Sequence, residues 1–424
     1  MEPDGLLDGE AGEKFATRRR DCEEMNSHAI LSLLTASVAG LALAGTTYVA
    51  FLGVVGLFSK PKGKSTAAAR PPRTRFLVLI PAHDEEQGIG PTLESLRAQN
   101  YPEGLRRAIV IADNCKDRTA AVVREAGFEC WERTDPTAPG KGQALRWALD
   151  QLASDTSDAV AFIDADTRVD PEFLAAVDVA IQDGATAVQG RYEFEVADSS
   201  YFSLLTFASK RAENVLYWRP RQRFGWMGFI VGNGFCLKRE ILETVPWAAY
   251  SIVEDVEYAL QLALRGFRVR FVESAQVVSR ATRRVSDAAP QRLRWASGTF
   301  QVMLKYVPQL FRASVRKASP RLLEMALALT LTSRFFLVYL VMAASACSLL
   351  LGTAGAGFVL RMVVVASILL LCAYAAMVLS QIPSVRGSRF RALVMLPFYV
   401  CWMLFVHVAA AVGMRRNAWV RTTR

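Results

Sequence analysis

The chain has 424 residues, 52% of them hydrophobic and 21% charged, with a formal net charge of +10. The apolar residues are concentrated: residues 29–58, 335–360, 362–385 and 392–414 contain no Asp, Glu, Lys or Arg. Each run covers the roughly 20 residues a helix needs to cross a bilayer, which excludes a purely soluble protein.

Residues 1–27 mix acidic and basic side chains and are expected to form a disordered tail. Residues 28–59 read as a transmembrane helix rather than a cleaved signal. The run is longer than a signal's apolar region, and Lys60, Lys62, Lys64, Arg70, Arg73 and Arg75 follow it. Such cations hold a cytoplasmic face against anionic lipid. No basic stripe marks a soluble module, so no nucleic-acid partner is expected.

From residue 75 the pattern alternates. Residues 75–80 (RFLVLI), 108–112 (AIVIA) and 159–163 (AVAFI) are short aliphatic runs, predicted as buried parallel strands. Residues 88–99, 117–126, 143–152 and 171–181 have helical spacing. Strands alternating with helices predict a doubly wound α/β sheet, with ligands beyond the carboxyl ends of the strands. Residues 201–223 and 300–317 are amphipathic and basic, as interfacial or surface helices are. The seven cysteines form no CxxC pair, and with three histidines no zinc or histidine-rich metal site is expected.

The predicted strands end in acidic loops: Pro81-Ala82-His83-Asp84-Glu85-Glu86, Asp113-Asn114-Cys115-Lys116-Asp117 and Asp164-Ala165-Asp166. Carboxylates gathered at one sheet edge repel one another unless a cation or polar ligand joins them. Asp164 and Asp166, alternating at a strand end, are suited to Mg²⁺ or Mn²⁺ on a diphosphate. Gly140-Lys141-Gly142 opens a helix and could cradle phosphate, though its glycine spacing is not that of a Walker loop. Further on come Gly232-Asn233-Gly234, then Val253-Glu254-Asp255 at the start of a helix that Gly266 ends, then Gln291-Arg292-Leu293-Arg294-Trp295. The acidic first turn of that helix also suits the helix dipole.

In this order, and between apolar runs, PAHDEE, ADNCKD, GKG, DAD, GNG, VED and QRLRW resemble the family 2 glycosyltransferases. The likeness is to the membrane-integrated synthases of cellulose, chitin, hyaluronan and poly-N-acetylglucosamine, and it covers about residues 75–300. It implies a GT-A fold, a doubly wound mixed sheet flanked by transmembrane and interfacial helices, and an inverting transfer from a UDP-sugar. By the same resemblance Pro81, Glu85, Asp113, Lys141 and Asp164 would bind the nucleotide sugar. Asp164 and Asp166 would hold the metal, and Asp255 would be the general base. Glu254, Gln291, Arg294 and Trp295 would bind acceptor and diphosphate, with the indole stacking on a sugar ring. Asp84 stands where the family usually has Asn, and Val253 where the synthases often have Thr.

The expected product is a growing β-linked polysaccharide. The alternative is a single transfer onto a membrane lipid such as diacylglycerol, ceramide or a polyprenyl phosphate. UDP-sugars are cytosolic, so a domain over residues 60–299 is expected on the cytoplasmic face of a bacterial inner membrane. An interfacial region (300–320), about three further spans (321–414) and a basic tail (415–424) would follow. Three spans put that tail outside, whereas Arg415, Arg416, Arg421 and Arg424 argue for the cytoplasm, and the sequence leaves both arrangements open.

Overall fold

Val78 and Ile80 of the first strand face one side of the sheet and Leu77 and Leu79 the other, and all four are buried. Alternation along a strand produces this only when both faces are covered. In the computed structural model, β1 (Phe76–Ala82), β2 (Arg106–Asp113), β3 (Glu129–Arg133) and β4 (Ala159–Phe162) interleave with α2 (Ile89–Arg97), α3 (Thr119–Glu125) and α4 (Lys141–Gln151), and α1 (Leu7–Phe58) precedes them. Then come β5 (Thr167–Val169), α5 (Phe173–Gln182), β6 (Ala187–Glu195), α6 (Tyr201–Ala212), a π-turn over Glu213–Trp218, and α7 (Arg219–Arg223). They are followed by β7 (Phe235–Lys238), α8 (Arg239–Thr244), α9 (Glu254–Arg265), β8 (Val269–Arg280) and α10 (Val285–Arg316). The chain closes with α11 (Pro320–Leu331), α12 (Arg334–Leu349), α13 (Ala356–Ser380) and α14 (Ser388–Ala411). The structure describes residues 7–60, 70–195, 201–281, 285–331, 334–351, 355–383 and 388–413. Lys62, Lys64 and the expected basic tail at 415–424 lie outside the described residues.

The sheet has eight strands in the order β3-β2-β1-β4-β7-β6-β8-β5. β1 pairs in parallel with β2 and β4, whereas β7 runs antiparallel to both β4 and β6. The doubly wound mixed sheet expected from the sequence is therefore present. Helix α1 begins at Leu7, so helical backbone reaches into the stretch expected to be a tail. Helix α9 spans the expected residues and ends as expected, because Gly266 takes φ 94 and its N–H reaches Ala263 O.

Two units divide the chain: Met1–Phe51 with Leu331–Ala375, and Leu52–Thr330 with Ala376–Arg424. In the first, Ala39 of α1, Ala344 of α12 and Val364 of α13 form a small apolar cluster, and Gly45 leaves room for Leu337. In the second, Arg219 donates to Gly56 O and Ser59 O at the last turn of α1 while pairing with Glu273, a cation placed where the helix's carbonyls lack partners. Among the described residues, three helical segments are long and apolar enough to cross a membrane, Ala29–Phe58, Ala356–Ser380 and Arg389–Ala411, and the helices Pro320–Thr330 and Arg334–Leu349 pass the same test only when taken together. Large apolar side chains such as Leu369, Phe398 and Phe405 face outward on the last two of the three, as in lipid-exposed helices. The chain is thus membrane-associated.

The two amphipathic stretches separate in character. Residues 201–223 bury Phe202, Leu205, Leu216 and Trp218, so they present no continuous apolar stripe. Helix α10 buries Val302, Tyr306 and Leu310 but exposes Phe300, Leu304, Phe311 and Val315 on another face, with Arg312 and Arg316 alongside. That pattern is the interfacial one.

Arg221 is 1% exposed, pairs with Glu324 of α11, donates to Met227 O at 2.6 Å and lies over the rings of Tyr217, Trp218 and Phe229. Removing one partner leaves a buried charge unmatched. Glu324→Ala is expected to cost about 3–5 kcal/mol, read as a lower unfolding midpoint of the full chain in detergent. Replacing both partners with apolar residues should recover most of that loss.

Candidate active site

The loop after β1 is tied to the loop after β2. Asp84, at φ 53, accepts N–H bonds from Lys116 (2.6 Å) and Asp117 (3.3 Å), and Glu85 N donates to Thr119 Oγ1 at 2.8 Å. Asp and Asn are the residues that most readily take this left-handed conformation, so the departure from the family's usual Asn leaves the turn intact. Asp84, Cys115 and Asp117 lie close enough to share a cation, but the carboxylates are occupied as turn acceptors.

Asp113 ends β2 opposite Arg133, its register partner on β3. Arg133 Nη1 donates to Asp113 Oδ1 at 2.6 Å, and both side chains are buried. The guanidinium also holds Asp135 and the carbonyl of Ala138, fixing the loop that leads to Gly140 (φ 120) and Lys141.

Beyond β4, Asp164 N donates to Asn233 Oδ1 at 3.1 Å, while Asn233 Nδ2 donates to Thr167 Oγ1 at 2.7 Å. Asn233 therefore ties the loop before β7 to both ends of the Asp164–Asp166 turn. Lys141 Nζ donates to Asp164 Oδ1 at 2.5 Å and to the carbonyl of Gly232. Gly232 takes φ 82, and a Cβ there would stand 3.0 Å from Asp255 Oδ2, so the missing side chain lets Asp255 approach.

Asp255 and Glu254 open α9. Val253 holds its N-cap position without a side-chain cap and packs instead toward Gly298 of α10. Thr there would offer a capping hydroxyl, worth about 1 kcal/mol. Burial pushes both Glu254 and Asp255 above the ordinary carboxylate range, and the Lys141 ammonium pulls each part of the way back. On α10, burial lowers the Arg294 guanidinium's pKa, with Glu254 and Asp164 opposing, and its Nε has no hydrogen-bond acceptor among the described residues. Arg292 lies 5.1 Å from the centre of the Trp295 ring.

All the site residues predicted from sequence meet. Pro81, Glu85, Asp113, Lys141, Asp164, Asp166, Glu254, Asp255, Gln291, Arg294 and Trp295 line one cavity of about 600 Å³. Sequence reasoning missed Arg133, which no motif marks, and the role of Asn233, which lies within a quoted motif. It also missed the wall made by Tyr192, Thr206, Ser209, Lys210 and Glu213.

Residues 71–298 match the family described as "Glycosyltransferase like family 2". The chain belongs to that family. It is 30% identical over 249 residues to a probable glycosyltransferase, YdaM, of Bacillus subtilis (strain 168), covering 55% of this chain and 57% of that protein. It is 25% identical over 248 residues to the beta-monoglucosyldiacylglycerol synthase of Synechocystis sp., covering 56% and 50%. The chain spans about half the length of these curated relatives. Among solved structures, the mannosyltransferase PcManGT of Pyrobaculum calidifontis, in complex with GDP-Man and Mn²⁺, aligns over 87% of this chain and 99% of its own at a TM-score of 0.54 and 20% identity, a likeness of fold.

The raised carboxyls give a spectroscopic expectation. In metal-free protein, a protonated carboxyl stretch should persist at about pH 5, where ordinary carboxylates are ionised. Lys141→Met removes the cation that favours the ionised forms, so the band should grow and persist to higher pH in infrared titration.

Proposed function

We propose that the protein is an inverting glycosyltransferase, moving a hexosyl group from a UDP-sugar to a hydroxyl acceptor presented at the membrane. The observation that carries this reading is the shared cleft, where Asp255, Glu254 and Asp164 act on one ammonium, Lys141, and Asp166 lines the same cavity. The donor set fits a hard divalent cation: Asp164 already directs an oxygen to a cationic nitrogen inside the cleft, and carboxylate oxygens suit Mg²⁺ or Mn²⁺. Asp164 and Asp166 would hold that ion, which when bound supplies Lewis-acid stabilisation of the diphosphate.

In this reading Pro81, Glu85 and Asp113 line the nucleotide end. Asp255 takes the proton of the acceptor hydroxyl, whose oxygen forms the new bond to the anomeric carbon as the bond to the diphosphate oxygen breaks on the opposite face. Arg294, desolvated and with Nε unmatched, offsets charge on the departing UDP together with Lys141. The raised pKa of Asp255 makes it a stronger base than a solvated carboxylate. The exposed apolar stripe of α10, flanked by arginines, would rest on an anionic membrane surface, with the domain cytoplasmic.

Two acceptor classes fit. Gln291, Arg294 and Trp295 support a growing β-linked polysaccharide, as the sequence resemblance implies. A single transfer onto a membrane lipid is favoured by Arg292, which covers one face of the Trp295 ring, and by the likeness to a glucosyldiacylglycerol synthase.

Purified full-length protein with Mn²⁺ and a panel of UDP-sugars should release UDP with at least one donor; no release with any of them overturns the reading. Asp255→Asn is expected to lower transfer by about 10²–10⁴-fold with UDP affinity retained. Asp166→Asn should remove the Mn²⁺ dependence of UDP binding, measured by calorimetry.

A further inference from the structure

One wall of the cleft is not accounted for by the donor, the ion or the base. Thr206, Ser209 and Lys210 of α6, with Glu213 of the π-turn, recur at helical spacing and line the same cavity. Thr206 is 2% exposed, and its Oγ1 has no hydrogen-bond partner among the described residues. A buried hydroxyl left unmatched is costly, and in a cleft wall it marks a place where a ligand's polar group completes the bonding. Independently, α6 runs into a π-turn, a feature concentrated at functional sites.

The wall is built in advance. Lys210 Nζ pairs with Glu213 Oε2 at 3.0 Å and lies 4.9 Å from the centre of the Tyr192 ring, while Trp218 Nε1 donates to Glu213 Oε1 at 3.2 Å. The charges are matched within the wall, which therefore offers hydroxyls and an aromatic ring rather than a net charge. A neutral polyol suits such a surface; a phosphate would not be compensated there.

The next turn of the same face bears on where that polyol comes from. Phe202 of α6 packs against Tyr399 (6.0 Å) and Trp402 (5.3 Å) of α14, a helix apolar enough to cross a membrane, with Phe398 and Phe405 facing outward. The face of α6 that lines the cleft thus continues, one turn toward its N-terminus, onto the bilayer-facing helix. We infer that the α6 wall is the acceptor seat, and that it takes the uncharged hydroxylated head group of a membrane lipid whose apolar tail lies along α14. The inference rests on the transfer reading above and names its acceptor.

The test uses the full chain in detergent micelles, with the UDP-sugar found by the donor screen and two acceptors, dioctanoylglycerol and a soluble β-linked glucose pentamer. Wild-type protein should glycosylate the lipid once and leave the pentamer unextended. Thr206→Val, which keeps shape and removes the hydroxyl, should raise the KM for dioctanoylglycerol about five- to tenfold, the effect of one lost hydrogen bond. Unchanged UDP affinity would report an intact fold. Thr206→Ser, which keeps the hydroxyl and loses the methyl, should hold the KM near wild type, whereas a packing role would make it the worse variant. An unmoved KM in Thr206→Val, extension of the pentamer, or a polymer ladder overturns the proposal while leaving the transfer reading standing. Absence of UDP release with any donor removes both.

Discussion

Lys141 is the contact on which the cleft depends. Asp164, Glu254 and Asp255 all act on its ammonium, and no other lysine nitrogen among the described residues is hydrogen-bonded to Asp164. Carboxylates brought this close in a desolvated space would otherwise be driven to protonate. The ammonium keeps the group partly ionised without neutralising it, so negative potential remains for a divalent ion. Its bond to the carbonyl of Gly232 also ties the acidic turn after β4 to the loop before β7.

That loop is the seam of the fold. β4 is the last strand of the parallel block, and β7 beside it runs the other way. The chain ends gathered there carry the Asp164 turn and the Gly232–Gly234 loop, locked together by the two ends of the Asn233 amide. A second anchor lies at the far side of the block, where Arg133 fixes Asp113 and the approach to Lys141. The rigid sheet holds one rim, while α9 and α10 bring the base and the guanidinium from the other. Gly298 permits close packing between these helices against the methyl groups of Val253, the N-cap residue, which makes no side-chain cap. A small loss in helix capping is thereby exchanged for apolar contact.

The motifs were legible because each is local. Asp164-Ala165-Asp166 closes a strand of unbroken aliphatic residues, and Val253-Glu254-Asp255 opens a helix whose end Gly266 fixes. Their strand or helix context could be read from periodicity alone. Five strands were not legible: β3, β5 and β7 are three to five residues long, β3 with three charged residues in five, and β6 and β8, though longer, interrupt their apolar residues with charged and polar ones. Their extended form comes from pairing with neighbours distant in sequence, which a local pattern does not register. Residues 201–223 show the same limit: their amphipathic pattern suits a membrane surface or a protein interior equally, and packing against β6 and α14 selected the interior.

The sequence by itself determined the family, the alternating α/β core, the membrane-length apolar helices and the acidic, basic and aromatic residues now found around one cavity. These follow from composition, periodicity and short motifs, which are properties of neighbours along the chain. Only the tertiary structure decided that Lys141 would compensate the carboxylates, that Arg133 would be spent on Asp113, and that one face of α6 would line the cleft and also meet a bilayer-facing helix. Those outcomes depend on distances between groups 20 to about 200 residues apart, and on the burial that makes such distances matter.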